Sequence, residues 1–453
     1  MKYSLLLAAG LGVSTLSNAA TIAVIDSGLD TQHDMIQSRL WFNPMEIEAN
    51  EIDEDYNGFV DDIHGWNFAE NSNQLIDYQY QYTYTPEVKR FFATQTKLMS
   101  GTATDEDKAW YRAMTQDSEF MKTLSIFGNY AHGTHVAGIS LSDNEKAEVL
   151  GIKLIPTKSP LQQIKADILE AQAEGQKVNF ILEQIVKFGL KALAGQQAKV
   201  LLGIGEYLAS EKVDVINCSF GIGTAQAEMF IRPILKLALI NKEPNQNLVD
   251  EYTAFFVNQV VQEQMHFVKM NPEMIFVFAA GNDGKDNSIH PIAPANIKRH
   301  NTITVAATFK DGTIAPFSNY SRTLVDIAAP GVGIESSVPG GDTMQMSGTS
   351  QAAPYITGVV AKLVDAYPNL TNIQIKEILF GTVDKLEKLD GKVRTGGLVN
   401  VERALSAAAM VSSKGMKAAI KEANFSVANL VSDEEQSFVQ PEKVDVQSLP
   451  FFL

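Results

Sequence analysis

Five apolar runs set the terms for this chain. "TIAVIDSG" from Thr21, "VDVINCSFG" from Val213, "MIFVFAAGNDG" from Met274, "TITVAAT" from Thr302 and "VDIAAPG" from Val325 each end abruptly at a polar or glycine-rich corner. They are rich in β-branched residues and do not alternate apolar with polar, the pattern of strands buried on both faces of a parallel sheet. Between them lie stretches of helical periodicity, such as "AKVLLGIGEYLASE" from Ala198 and "APYITGVVAKLVDAY" from Ala353. Strand and helix therefore alternate, which predicts an α/β fold, an open and mostly parallel sheet with helices on both faces. Ligands of such sheets sit at the carboxyl ends of the strands, so the polar corners are where function is to be sought.

Composition narrows the classes of partner. The chain has 453 residues, of which 45% are apolar and 20% charged, as expected of a folded globular protein. Its formal charge of −16 repels phosphate backbones and anionic lipid surfaces, which argues against nucleic acid and anionic membranes. A single cysteine, Cys218, excludes an intrachain disulfide and any multi-cysteine metal site. As a rival nucleophile it is poorly placed, inside an apolar run where a free thiol behaves as a small hydrophobe.

The two ends differ from the middle. "MK" followed by "SLLLAAGLGV" and the small residues Ser17 and Ala19 reads as a secretory signal peptide over residues 1–20. The run is about half the ~20 residues a membrane span needs. The expectation is export, to the medium or a periplasm, with no membrane anchor after the signal is removed. At the other end, residues 411–453 finish in the acidic, weakly patterned "VSDEEQSFVQPEKVDVQSLPFFL" and are expected to form a mobile tail.

Four corner residues carry chemistry together. Asp26 closes "AVIDSG", His132 lies in "NYAHGTHVAG" where Gly133 suggests a turn into a helix, Asn282 closes "FVFAAGN", and Ser347 stands among small residues in "QMSGTSQAAP". A serine that only capped a helix would not need such a clearing. Acyl transfer from an amide needs a nucleophile, a base to take its proton, an acid to orient that base, and a donor for the developing oxyanion. The order Asp, His, Ser is one of the convergent arrangements of that triad.

With "VIDSGLD", "HGTHVAG", "VINCSFG", "AAGN" and "SGTSQAAP" in this order, the chain resembles the subtilisin-like serine peptidases, the subtilases, from about Thr21 to about Ala408. The resemblance implies a serine endopeptidase acting on protein or peptide substrates, with no cofactor required for chemistry. It implies Ser347 as nucleophile, His132 as general base and then acid, Asp26 as the carboxylate behind the imidazole, and Asn282 as oxyanion donor. Ser219, Phe220 and Gly221 match the strand that pairs with substrate, and Ala279, Ala280 and Gly281 match the opposite wall of the pocket. A different class, a subtilase-shaped binding protein without turnover, would be expected to have lost one of the four polar groups, and all four are present.

Other features stand beside that core. "DEDYNGFVDD" follows a calcium-loop pattern through Asp53, Asp55, Asn57 and Gly58, but His64 occupies the twelfth position where a glutamate belongs. A looser structural calcium site using Asp53, Asp55, Asn57 and Asp61, with Asp62 beside them, and a solvated acidic turn both remain open. His135, three residues after His132 and without the neighbouring glutamate of a zinc helix, is expected to pack behind the catalytic histidine. The peptidase domain is expected over residues 21–410, with insertions near 77–128, 157–198 and 224–270. Only 25 residues precede Asp26, so no folded N-terminal inhibitor of the kind many secreted subtilases carry is expected, and restraint is assigned to the C-terminal tail or to a separate inhibitor or chaperone partner.

Overall fold

The computed structural model describes residues 19–157, 182–239 and 242–431. The expected signal peptide, apart from its last two positions, lies outside the described residues, as do residues 158–181 of the second expected insertion and 432–453 of the expected tail.

Nine strands form the main sheet: β1 (Thr21–Asp26), β2 (Gly65–Asn67), β3 (Glu148–Lys153), β4 (Val215–Cys218), β6 (Ile275–Ala279), β8 (Thr302–Thr308), β9 (Ile327–Pro330), β12 (Asp384–Lys385) and β13 (Gly397–Leu398). Two small antiparallel pairs accompany it, β5 (Ile222–Gly223) with β7 (Ile292–Ala293), and β10 (Ile334–Val338) with β11 (Asp342–Met346). The order across the sheet is β12-β13-β9-β8-β6-β4-β1-β3-β2, parallel except at the β12–β13 edge. From β1 the chain builds outward through β3 and β2 on one side and through β4, β6, β8 and β9 on the other. β1 is therefore the strand at which the order reverses, and the crevice at its carboxyl end is where such a sheet presents a ligand site.

Both faces of the sheet are covered, which explains the unbroken apolar runs. Ile22 and Val24 point into a layer shared with Val136 and Ala137 of the helix Ser118–Leu141 and with Ala352, Ile356 and Val360 of the helix Thr349–Ala366. Ala23 and Ile25 point the other way, toward Ile204 of the helix Leu182–Ser210 and Phe256, Val260 and Phe267 of the helix Gln246–Met270. Each fully buried Ile or Val stabilises the fold by about 1.5–3 kcal/mol relative to an exposed one, so a strand with apolar residues on both faces is held from two sides.

Residues 78–128 make a core of their own. The helices Pro86–Met99 and Asp105–Gln116 begin at Thr85 and Thr104, whose side chains cap them. Phe91, Phe92, Tyr111, Phe120, Leu124 and Phe127 then close over Val338, Met344 and Met346 of the β10–β11 hairpin, with Phe91 stacked on Tyr111 at 4.6 Å. One expectation changes here. His132 does not begin a helix but lies inside a continuous helix of 24 residues, Ser118–Leu141, capped by the Asp117 carboxylate on the N–H groups of Glu119 and Phe120. The helix starts early because its first turns have this apolar layer to pack against.

The chain also stays folded beyond residue 410. The helices Val401–Lys414 and Met416–Ser426 pack together, and the buried Arg403 guanidinium reaches Asp384 at 3.0 Å, the Val427 carbonyl at 2.9 Å and the Asn429 side chain at 2.7 Å. Asp384 in turn accepts from the Leu430 N–H at 2.8 Å. A buried guanidinium needs those acceptors, so residues 411–431 belong to the domain rather than to a tail.

Candidate active site

Asp26 is the last residue of β1, and its buried carboxylate accepts from the Ser27 N–H at 2.8 Å and from His132 Nδ1–H at 2.7 Å, both on Oδ1. The helix carrying His132 is fastened to the loop after β1 by Gly133 N–H to Ser27 Oγ at 3.2 Å and Asp30 N–H to Thr134 Oγ1 at 2.9 Å. Gly133 is needed for contact, not for a turn. A Cβ there would lie 2.1 Å from the Gly28 carbonyl oxygen and 3.1 Å from Asp26 Cβ.

Ser347 follows β11 and stands just before the helix Thr349–Ala366, which Gly348 opens without a side-chain cap. The β10–β11 hairpin is bolted to the His132 helix: Ser336 Oγ–H donates to the His135 carbonyl at 2.8 Å and Ser337 Oγ–H to the Thr134 carbonyl at 2.9 Å. His135 Nε2–H returns a bond to the Met344 carbonyl at 2.9 Å. Burial holds the His135 imidazole down at about 4, so it stays neutral and keeps this donor role at ordinary pH. The half-buried Ser347 Oγ accepts from the Gly333 N–H at 2.8 Å, which orients the oxygen and leaves its own proton to donate.

Asn282 lies three residues beyond Ala279, the end of β6. Its Oδ1 accepts from both the N–H and the hydroxyl of Thr349, each at 2.9 Å. Two donors on one oxygen assign the amide orientation, and Nδ2 is consequently turned toward Gly348, 3.5 Å from where a Cβ would stand. His135, expected to pack behind the catalytic histidine, is fully buried and ties the His132 helix to the hairpin, whereas sequence reasoning gave Thr349 no such part; its only sequence signal was its place in the serine motif.

Of the expected substrate residues, Ser219, Phe220, Gly221, Ala279 and Gly281 line a narrow cleft of about 50 Å³ beside Asn282, together with Asp283 and Ile292. Ser219 and Ser350 exchange hydroxyl-to-carbonyl bonds at 3.2 and 3.0 Å, which ties one wall to the helix after Ser347. Ala280 does not join them. Its fully buried side chain packs with Ala306, Val325 and Ala328 beneath the cleft, because successive residues of an extended segment face opposite sides.

The Cys218 thiol is buried, and desolvation with the nearby Asp26 charge pushes its pKa well up. It is a neutral core group, unsuited to act as a nucleophile.

The acidic loop does not gather the expected set of Asp53, Asp55, Asn57 and Asp61. Asp53 caps the N–H groups of Asn57 and Gly58, and Asp61 those of Asn50 and Glu51. The carboxylates that do converge are Glu46, Asp55 and Asp62. Each of their oxygens already accepts an N–H, from the amides of Asn43 and Asn57 or from the backbone of Glu54, Asp55, Asn57 and Asp61. Burial raises the pKa of Glu46 and Asp62, and a neighbouring carboxylate adds to each shift. Of the expected set only Asp55 belongs to the group of carboxylates that converges, with Glu46 and Asp62 as its neighbours.

These motifs can be set beside known proteins. The model of the subtilase family matches residues 17–398. The chain belongs to the subtilase family. Among curated subtilases, "Subtilisin-like protease 1" of Plasmodium vivax is 24% identical over 394 residues, covering 85% of this chain and 47% of its own length, so this chain spans about half of that relative. Subtilisin of Bacillus pumilus is 28% identical over 277 residues, 60% of this chain and 77% of the other. A solved structure titled a cold adapted subtilisin-like serine proteinase covers 85% of this subtilase and 89% of its own chain, at 16% identity and a TM-score of 0.43. Among the described residues no helix is long and apolar enough to cross a membrane.

Proposed function

We propose that this subtilase is an exported serine endopeptidase. The observation that carries the reading is the buried 2.7 Å bond between His132 Nδ1 and Asp26 at the reversal strand of the sheet. With Nδ1–H committed to the carboxylate, Nε2 is the basic nitrogen of the neutral imidazole. In this reading Ser347 Oγ attacks the substrate carbonyl carbon while His132 Nε2 takes its proton, and Asp26 stabilises the resulting imidazolium. Asn282 Nδ2–H and the Ser347 backbone N–H donate to the oxyanion. The tetrahedral adduct then expels the amine, which receives the proton from His132, and water repeats the sequence on the acyl-enzyme. The residue before the scissile bond enters the cleft between Gly221 and Gly281, whose small volume favours a small side chain. The apolar run after Lys2 supports export.

The test is labelling by a serine-directed fluorophosphonate, run beside peptide hydrolysis. The parent protein is expected to label and to cleave, and Ser347→Ala to do neither while keeping its circular dichroism and melting temperature. A parent protein that binds peptides but neither labels nor cleaves would be a binding protein on a subtilase fold.

A further inference from the structure

At the end of the sheet opposite Ser347, where β8 and β9 begin, lies a cavity of about 520 Å³ lined by Lys298, Arg299, His300, Thr323, Asp326, Lys376 and Arg394. β8 is seven residues long, so roughly 20 Å of strand separates this cavity from the cleft end. Asp326, the lone acid in the lining, is buried and fully used. Its Oδ2 accepts from Lys298 Nζ at 2.5 Å and the Thr304 N–H at 2.9 Å, and its Oδ1 from Arg394 Nε at 2.8 Å.

That leaves four fixed cations against one carboxylate, in a chain whose overall charge is −16. Lys376 Nζ donates to the carbonyls of Arg299 and Thr302, which orient the ammonium without neutralising it. The Arg299 guanidinium bonds no side chain among the described residues, and Arg394 is steadied by the Phe380 ring 4.8 Å from its Cζ. Burial lowers the Lys376 pKa to about 8, with the Asp326 charge opposing the shift and Lys298 and Arg394 adding to it. A surface that is acidic overall and yet collects cations in one concave, aromatic-backed place is built for an anion.

We propose that this cavity binds the carboxylates of an acidic peptide segment, with Arg299, Lys376 and Arg394 as the recognising cations. The volume exceeds what a single small oxyanion fills and suits adjacent acidic side chains. One source of such a segment is close in the sequence: Val431 packs in the same apolar cluster as Val325 and Val393, the neighbours of Asp326 and Arg394, and the next residues read Ser-Asp-Glu-Glu. The proposal stands apart from the catalytic reading, since no lining residue belongs to the cleft.

The experiment uses the full chain with Ser347→Ala, so that a peptide ligand survives, and follows the anisotropy of a labelled peptide SDEEQSFVQ at low salt. Saturable binding is expected, weakened at least about tenfold by Arg299→Gln with Lys376→Gln and weakened further by added salt. Melting curves of the double variant verify that it is folded. A second full chain carrying Asp433→Asn, Glu434→Gln and Glu435→Gln separates the sources. Tighter peptide binding by that chain assigns the cavity to this protein's own segment, and unchanged binding assigns it to an acidic segment of another chain. Absence of saturable binding, or binding indifferent to both cavity substitutions, overturns the proposal. So does capture of inorganic phosphate without the peptide, which would make the cavity a small-ion site.

Discussion

Thr349 donates both its backbone N–H and its hydroxyl to the side-chain oxygen of Asn282, each at 2.9 Å. With the oxygen held twice, the Asn282 amide turns its N–H rather than its C=O toward Gly348, the residue after Ser347. In the proposed mechanism Asn282→Ala lowers kcat by about 10²- to 10³-fold, a magnitude that comes from the corresponding donor in subtilisin itself. Thr349→Val removes one of the two anchors and is expected to lower kcat by roughly tenfold with little change in KM, because the misplaced donor acts on the transition state. Thr349→Ser should restore most of the rate. Equal rates for the Val and parent proteins would show that the hydroxyl does not position the amide.

His135 links stability to pH. In the unfolded chain its pKa is near 6.5, and in the folded protein burial lowers it to about 4. The unfolded state therefore binds the proton first. The stabilisation is present in full above about pH 6.5 and is lost as pH falls from there toward 4, by up to roughly 3 kcal/mol. His135→Leu should flatten this part of the profile. At neutral pH the same variant should be less stable by about 1–3 kcal/mol, since the buried Met344 carbonyl loses its donor. Urea midpoints between pH 4 and 8 measure both effects, and an undiminished acid slope in the variant would assign the titration to another group.

The parallel sheet and the corner residues could be read from the sequence because strand runs, glycines and the Asp, His, Ser order are local signals. What escaped was long-range. The early start of the His132 helix depends on Val338 and Met344, some two hundred residues away, giving Phe120, Leu124 and Phe127 something to cover. Folding of residues 411–431 depends on Arg403 finding Asp384, and the side of the chain that Ala280 faces depends on strand pleat. The acidic loop matched a spacing pattern, but spacing does not report which carboxylates converge: Glu46 and Asp62 gather with Asp55, while Asp53 and Asp61 cap backbone N–H groups. The cavity around Asp326 draws its cations from three separated segments, so no window of sequence displays it.

Gly133 offers a contest between two known magnitudes. Alanine is favoured over glycine inside a helix by about 1 kcal/mol. Here its Cβ would stand 2.1 Å from the Gly28 carbonyl oxygen, a backbone atom that cannot swing aside. Overpacking should win, leaving Gly133→Ala less stable by about 1–3 kcal/mol. Displacing the helix also moves His132 relative to Asp26, and an error near 1 Å at a reacting group can cost about 10²-fold in rate. A melting temperature at or above that of the parent would mean that the loop after β1 yields.

Ile292 sets the width of the cleft. Its Cδ1 lies 2.7 Å from the Cβ position of Gly281 and 3.5 Å from that of Gly221, so the side chain runs between the two glycines that form the walls. The volume left between these walls is about 50 Å³. In the proposed peptidase, small residues such as Ala or Ser are therefore expected before the scissile bond. Shortening Ile292 to Ala removes three carbons from this slot, and each methylene of fit in an apolar pocket is worth about 1–3 kcal/mol of discrimination. Ile292→Ala should then raise kcat/KM for a Leu or Met substrate relative to an Ala substrate by at least about tenfold. The two substrates are best compared in one competition assay, where differences in active enzyme cancel. A parent protein that already prefers large apolar residues, or a variant with an unchanged ratio, would place the specificity pocket elsewhere than between Gly221 and Gly281.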